Sequence, residues 1–466
     1  MSATKDELLR RLRSFGQEHL LAFWDQLNPA ERDGLEQQLA AVDFDRLSRL
    51  ATGRDASPDW GELAARALPP RAIRLGDTHN EFHPDEARAR GEELLRKAAV
   101  GMILVAGGQG TRLGFPHPKG LLPLGPLSKR TLFEILFDRL RAVALRYAAP
   151  IPLYIMTSPA THAETLQFLT ANGRFGLAED ELRLFCQGVM PAVDAASGKV
   201  LLADRAQLAL NPDGHGGMLG ALARSGCLAD AQRRGVQHFF YGQIDNPLLQ
   251  VCDPLLLGYH LLAGSEMTSQ VVAKQDPLDR VGNVAIIDGR TQVIEYSDLP
   301  ESAARRRTSD GYLYFWAGSI AVHVFAVEFL ARMEQQQQQL PFHRALKKSP
   351  CVDSAGNRVE PAAANSIKFE RFIFDLLPAA QNPIVVEGDA AEVFAPVKNA
   401  AGAARETVAT SQAAMMARDR VLLRAGGVVV ADDVAVEVNP RWALDAADVT
   451  RRLAPGTRIT TPTYFV

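Results

Sequence analysis

The chain has 466 residues, 47% of them hydrophobic, enough for a large core shared between two or three domains. Its 51 basic and 54 acidic side chains leave a net charge of −3 with no basic stripe, which argues against nucleic acid as a partner. Cys186, Cys227, Cys252 and Cys351 form no CxxC pair, so neither a zinc site nor a disulfide framework is suggested, and reduced thiols in a cytoplasmic protein are expected. No run of about 18 apolar residues suggests a membrane span. The charged N-terminus lacks the apolar core of a signal peptide.

In chain order, Thr4 to Leu68 read as helices, with Leu8, Leu12, Leu20 and Trp24 at helical spacing and Asn28-Pro29 ending one helix and starting another over about 30–42. His19 reads as a packed or surface histidine. A polar linker runs from Pro69 to Pro84. Its His79 and His83 have ligand-like spacing, but Pro84 follows at once and no third ligand is near. A charged helix over 86–97 leads into an apolar strand, Val100 to Ala106.

A glycine-rich loop follows, Gly107-Gly108-Gln109-Gly110-Thr111-Arg112-Leu113-Gly114, with Lys119 just beyond. Glycines let backbone N–H groups approach an anion, and Arg112 and Lys119 add positive charge. The loop is not a Walker A motif, since Gly114 is followed by Phe115 and Lys119 by Gly120. It is not a dinucleotide fingerprint either, because its GxGxxxG spacing is one residue too long. By spacing alone, a phosphate cradle and a structural turn both stay open. Thr131 and Glu134 form a capping box ahead of a helix reaching Tyr147.

Strands are expected at 151–157 and 182–186, with a helix from Ser158-Pro159 to Leu169 between them, and a central strand at 236–244. Alternating strands and helices predict an α/β, Rossmann-like, doubly wound sheet, mostly parallel, with an N-terminal helical region and a small β-containing C-terminal domain. Ligands bind such sheets at the carboxyl ends of the strands. Asp245, ending the central strand, suits a Mg²⁺ ion or a turn, and Asp253 suits the cap of a helix from Pro254. Further strands are expected at 269–274, 283–287 and 292–296, the last carrying Glu295 and Tyr296. Arg305-Arg306-Arg307 reads as a solvated run, the glutamines 335–339 as a helix end or loop, and Lys347 and Lys348 as surface. Phe369, Phe372 and Phe374 read as core. A helix to about Arg420, then strands within 421–438, complete the chain. The domain expectation is residues 1–98, 99–390 and 391–466.

The motifs GGQGTRLG and PKG (Pro118-Lys119-Gly120) resemble the activating loop of the sugar-nucleotide pyrophosphorylases. The match is with the UDP-N-acetylhexosamine (UDP-N-acetylglucosamine) pyrophosphorylase and type 1 UDP-glucose pyrophosphorylase family. Further motifs extend it: PDGHGG at 212–217, IDNPLLQVCDP at 244–254, VIEYSD at 293–298, FWAGS at 315–319, HRALKKSP at 343–350, SIKFERFIFD at 366–375 and FAPVKN at 394–399. The resemblance implies a uridylyltransferase joining UTP and a sugar 1-phosphate, with Mg²⁺ on Asp245. It implies nucleotide contacts from Ala106, Gly107, Gly108, Gln109, Gly110, Gln187, Gly214 and Lys368. Arg112, Lys119 and Lys398 would be catalytic; His215, Glu295, Tyr296 and Trp316 would meet the sugar. N-acetylglucosamine 1-phosphate follows from overall similarity. Two departures in the sugar half, His215 and Trp316 in place of asparagines, keep glucose 1-phosphate or a broad range open. A non-catalytic sugar-nucleotide binder is the alternative from another class, though Lys119, Asp245 and Lys398 are all present.

Overall fold

The computed structural model describes residues 4–53, 59–336 and 340–466. The predicted helical stretch around 54–58, and residues 337–339 of the glutamine tract, lie outside the described residues. The chain separates into two units: one gathers Met1–Asp59, Gln187–Met218 and Gln339–Asp375, the other Trp60–Cys186, Leu219–Gln338 and Leu376–Val466. The boundaries expected near residues 98 and 390 do not coincide with these divisions.

The second unit holds a ten-stranded sheet. Its strands in chain order are β1 (Ala72–Ile73), β2 (Val100–Val105), β3 (Leu153–Thr157), β4 (Leu182–Cys186) and β5 (His238–Gln243), then β6 (Met267–Ala273), β7 (Gly282–Ile287), β8 (Arg290–Ile294), β9 (Ala317–Ala326) and β10 (Ile384–Glu387). The spatial order is β1-β10-β6-β9-β5-β2-β3-β4, with the β7–β8 hairpin attached to β9. Pairing is parallel except at β9 and in the hairpin. Because β9 runs antiparallel to both its neighbours, the carboxyl ends of β1 to β6 and β10 share one edge with the start of β9. This is the doubly wound, mostly parallel sheet that the alternation predicts.

Two glycines set the helix layer. Helix Pro84–Arg96 crosses helix Pro254–Leu262 where a Cβ on Gly91 would lie 1.8 Å from the Pro254 oxygen, and one on Gly258 1.6 Å from the Ala87 oxygen. Only glycine permits that approach. The predicted capping box forms: Thr131 accepts from the Glu134 N–H and starts helix Leu132–Tyr147, whose Leu132, Ile135, Leu136, Leu140 and Val143 are buried. Asp253 caps its helix as expected.

In the first unit, Thr4–Glu7 and Asn28–Glu31 capping boxes start helices Lys5–Arg13 and Pro29–Ala41. Their apolar faces, with Trp24 and Phe44, pack on Val193, Val200, Leu208, Ile367 and Phe369. His19 is a packed histidine, 2.8 Å from the Val200 carbonyl oxygen.

Three expectations shift. The strand expected through Tyr296 stops at Ile294, because its partner strand ends at Gly282 and the N–H groups of Asp298 and Leu299 both turn back to the Glu295 oxygen. The helix of the C-terminal region runs to Ala425, past the expected Arg420, and the strands that follow shrink to Val429–Val430 and Val436–Val438 around a small valine core. Arg306 is not solvated: its guanidinium lies 3.5 Å from the Tyr314 ring centre.

Candidate active site

The glycine loop leaves β2 at the strand-end edge. Ala106 N–H donates to the Met156 oxygen, and Ser158 Oγ donates to the Gly107 oxygen at 2.8 Å, tying the loop to β3. The loop then folds back on itself: Gly110 N–H donates to His117 O at 2.8 Å, and Lys119 N–H to Gly108 O at 3.0 Å. A Cβ on Gly110 would meet the Phe115 oxygen at 2.6 Å, so glycine is required there. Among the described residues, no acceptor pairs with the backbone N–H groups of Gly107, Gly108, Gln109, Thr111 or Arg112. Gly108, Gln109 and Arg112 are exposed. A run of unpaired amides with one free guanidinium is a cradle for an anion.

Lys119 and Asp245 meet across the edge, Nζ to Oδ2 at 3.4 Å, with only 17% and 13% of their side chains exposed. Asn246 organises the next piece. Its Nδ2 donates to the Val393 oxygen at 2.7 Å, and its Oδ1 accepts from Leu248 and Ala395 N–H. Val397 N–H donates to the Asp245 oxygen at 2.9 Å. The Asp-Asn pair therefore brings the 393–398 segment, and Lys398, to the end of β5. Lys398 Nζ lies 5.5 Å from the Phe394 ring centre and 4.0 Å from Glu406. Sequence reading found Asp245 but missed the part played by Asn246, which lies next to it. No group of three or more metal-ligating side chains occurs among the described residues, so Asp245 stands as a single carboxylate candidate.

On the neighbouring strand of this edge, Trp316 directly precedes β9, and Lys274 N–H donates to its oxygen at 2.9 Å. Lys274 is itself buried, its ammonium bonded to Asn283 Oδ1 at 2.7 Å and to the Pro277 oxygen at 2.8 Å. Burial holds it below the ordinary lysine range. Asn283 in turn donates to the Ile294 oxygen, one residue before Glu295. Glu295 and Tyr296 thus sit in a turn fastened to Lys274, with Tyr296 48% exposed.

In the first unit, a second cluster forms around the 212–217 loop. Val189 pairs with Pro212, and Asp213 N–H donates to the Gly188 oxygen. Asp213 is ion-paired with Arg371, whose backbone also grips the loop: Arg371 N–H donates to Asp213 O, and Gly216 N–H to Arg371 O. Gly214 has φ +83° and passes so close to Arg371 that a Cβ would fall 2.3 Å from its oxygen. Sequence reading missed the Asp213–Arg371 pair. His215 Nδ1 accepts the Ile373 N–H at 3.2 Å, which leaves the ring proton on Nε2. Burial, with His343 second, lowers its pKa to about 4, so it is a neutral donor near pH 7. Gln187 is 8% exposed, and its carboxamide makes no hydrogen bond to the described residues. Lys368 extends from strand Ser366–Glu370, half-buried and held below the usual lysine range by that burial, while Lys347 and Lys348 are exposed. Phe369 and Phe374 are core; Phe372 stacks on Phe374 and lies 5.4 Å from His215.

Comparison with known proteins bears on this pair of clusters. The family described as UTP--glucose-1-phosphate uridylyltransferase matches residues 64–441. The chain belongs to this family. Similar proteins include a human UDP-N-acetylhexosamine pyrophosphorylase-like protein 1, 37% identical over 440 residues, which cover 91% of this chain and 86% of the relative. A UDP-N-acetylglucosamine pyrophosphorylase of Saccharomyces cerevisiae is 34% identical over 447 residues, covering 91% and 92%. The uridine diphosphate N-acetylglucosamine pyrophosphorylase of Trypanosoma brucei has the same fold, with a TM-score of 0.80 at 24% identity over 99% of each chain. Among the described residues, no helix is long and apolar enough to cross a membrane.

Proposed function

We propose that this uridylyltransferase forms a UDP-sugar and pyrophosphate from UTP and a sugar 1-phosphate, with N-acetylglucosamine 1-phosphate the favoured acceptor. The observation that carries the reading is the glycine loop with unpaired amides beside the Lys119–Asp245 pair. In the reaction a phosphate oxygen of the sugar 1-phosphate attacks the α-phosphorus of UTP. The bond from that phosphorus to the bridging oxygen breaks, and pyrophosphate leaves. The attacking oxygen is already an anion, so no general base is required. What the protein supplies is in-line placement and relief of charge repulsion.

The loop after Ala106 holds the triphosphate with the unpaired backbone N–H groups of Gly107, Gly108 and Gln109 and with Arg112, while Gly110, its own N–H paired with His117, contributes the tight turn. Lys119 meets the charge that moves onto the leaving oxygens. Lys398 holds the incoming phosphate, and Lys368 a triphosphate oxygen. Gln187 and Gly214 read the uracil, whose imide edge both donates and accepts, as a carboxamide does. His215 Nε2–H, Glu295, Tyr296 and Trp316 meet the sugar. Asp245 would hold a divalent ion, Mg²⁺ in this reading, which would neutralise phosphate charge. A single carboxylate fits an ion that completes its shell with water and phosphate oxygens.

The test is Asp245→Ala. It abolishes metal-dependent pyrophosphate release, and chelation with EDTA does the same to the unaltered protein. Turnover that persists after both would place the metal, or the need for one, elsewhere. Glucose 1-phosphate is the second reading, favoured by Trp316 and His215.

A further inference from the structure

Trp316 does not stand alone. The Arg74 guanidinium carbon lies 3.7 Å from its ring centre, within cation–π range. Arg74 is fixed in its turn. Its Nε donates to Glu387 Oε2 at 2.7 Å, and that carboxylate, with its side chain only 9% exposed, also accepts from Leu75 N–H at 3.1 Å. Its backbone is clamped by Asn80, which accepts from Arg74 N–H at 2.9 Å and donates to Arg74 O at 2.7 Å. β1 delivers Arg74 to the strand-end edge beside Glu387 of β10, through Ile73 pairing with Val386. From the opposite side Lys274 holds the Trp316 backbone, and Ala317 pairs with Ala273. Arg74, just after β1, is thus held against the indole by Glu387 of β10, while Lys274, just after β6, fixes the Trp316 backbone. Arg74 also lines a cleft of about 840 Å³.

We infer that Arg74, locked by Glu387, is a specificity-determining positioning residue: it pins the Trp316 indole and so fixes the shape of the wall that the sugar substituent meets. The inference rests on the reading that Trp316 faces the sugar. It assigns discrimination between a 2-hydroxyl and a bulkier 2-acetamido group to a stacked pair whose members are far apart in the chain.

The experiment measures kcat and KM for glucose 1-phosphate and N-acetylglucosamine 1-phosphate in the unaltered protein, Arg74→Ala, Arg74→Lys, Trp316→Ala and the Arg74→Ala/Trp316→Ala double variant. Arg74→Ala is expected to change the ratio of the two kcat/KM values by about tenfold, mainly through sugar-phosphate KM, while KM for UTP stays within about twofold. Arg74→Lys, which keeps a cation over the ring, is expected to restore part of the ratio. The double variant is expected to match Trp316→Ala alone, since both act through one indole. If Trp316→Ala shifts the ratio and Arg74→Ala does not, the positioning role is overturned and the reading of Trp316 stands. If Arg74→Ala shifts it and Trp316→Ala does not, Arg74 acts by another route and the inference fails. If neither shifts it, the sugar-facing reading of Trp316 fails and the inference with it. Should Arg74→Ala not fold, Glu387→Gln, which weakens the lock but keeps the shape, replaces it with the same expected direction.

Discussion

In the proposed mechanism Lys119 is the residue on which the phosphate chemistry turns. Its ammonium stands 3.4 Å from Asp245 with little exposure, so each charge is compensated by the other. In that mechanism Lys119→Ala removes a charge contact with the leaving phosphates, and kcat is expected to fall by roughly 100-fold or more. A kcat near that of the unaltered protein, with folding intact by circular dichroism, would remove Lys119 from the mechanism. At this scale the sequence was most informative where chemistry is local. The glycines, Lys119 and Asp245 each carry their meaning in a short motif. The unpaired amides of the loop and the free carboxamide of Gln187 were not readable, because pairing is settled by the fold. Asp213–Arg371 and Arg74–Trp316 were not readable either. Each joins residues far apart in the chain, and nothing local in either segment names its partner.

Elements were readable to the extent that they carry their own signals. The Thr131–Glu134 capping box and the Asn28-Pro29 start marked helix boundaries because those side chains satisfy the first N–H groups themselves. The strand before Glu295 ended early because its length is set by the partner that runs out at Gly282, not by its own residues. The crossing of helices Pro84–Arg96 and Pro254–Leu262 depends on Gly91 and Gly258, and was invisible in a sequence that contains 36 glycines. Gly258→Ala would place a methyl 1.6 Å from the Ala87 oxygen, so the helices must separate. The expected loss is roughly 1–3 kcal/mol in unfolding free energy, read from the urea midpoint. An unchanged midpoint would show that the crossing yields without cost.

Across the molecule, the large sheet unit carries buried imidazoles that couple stability to pH. His238 Nδ1 lies 3.0 Å from His260 Nε2, and His260 Nδ1 lies 2.8 Å from Thr268 Oγ1. Burial lowers the His238 pKa to about 4, and burial, then His238, holds that of His260 well below the ordinary histidine value. The unfolded chain binds protons on both near pH 6.5 while the folded chain does not, so stability is full above about pH 6.5 and is lost as pH falls towards 4. For His238 the contribution is up to about 3 kcal/mol. Urea midpoints at pH 7, 6 and 5 should decrease in that order, and the decrease should be shallower in a His238→Gln/His260→Gln variant. A flat profile in the unaltered protein would contradict the assignment.

The family, the strand-end loop and the lysine–aspartate pair converge on nucleotidyl transfer, and one assay addresses it directly. Pyrophosphate release by the purified protein is measured with UTP and Mg²⁺ against N-acetylglucosamine, glucose and galactose 1-phosphates in turn. The expected result is release that requires both UTP and a sugar 1-phosphate, fastest with N-acetylglucosamine 1-phosphate. Fastest release with glucose 1-phosphate would transfer the sugar assignment to the second reading. No release with any of the three, from folded protein that still binds UTP, would contradict the catalytic account itself.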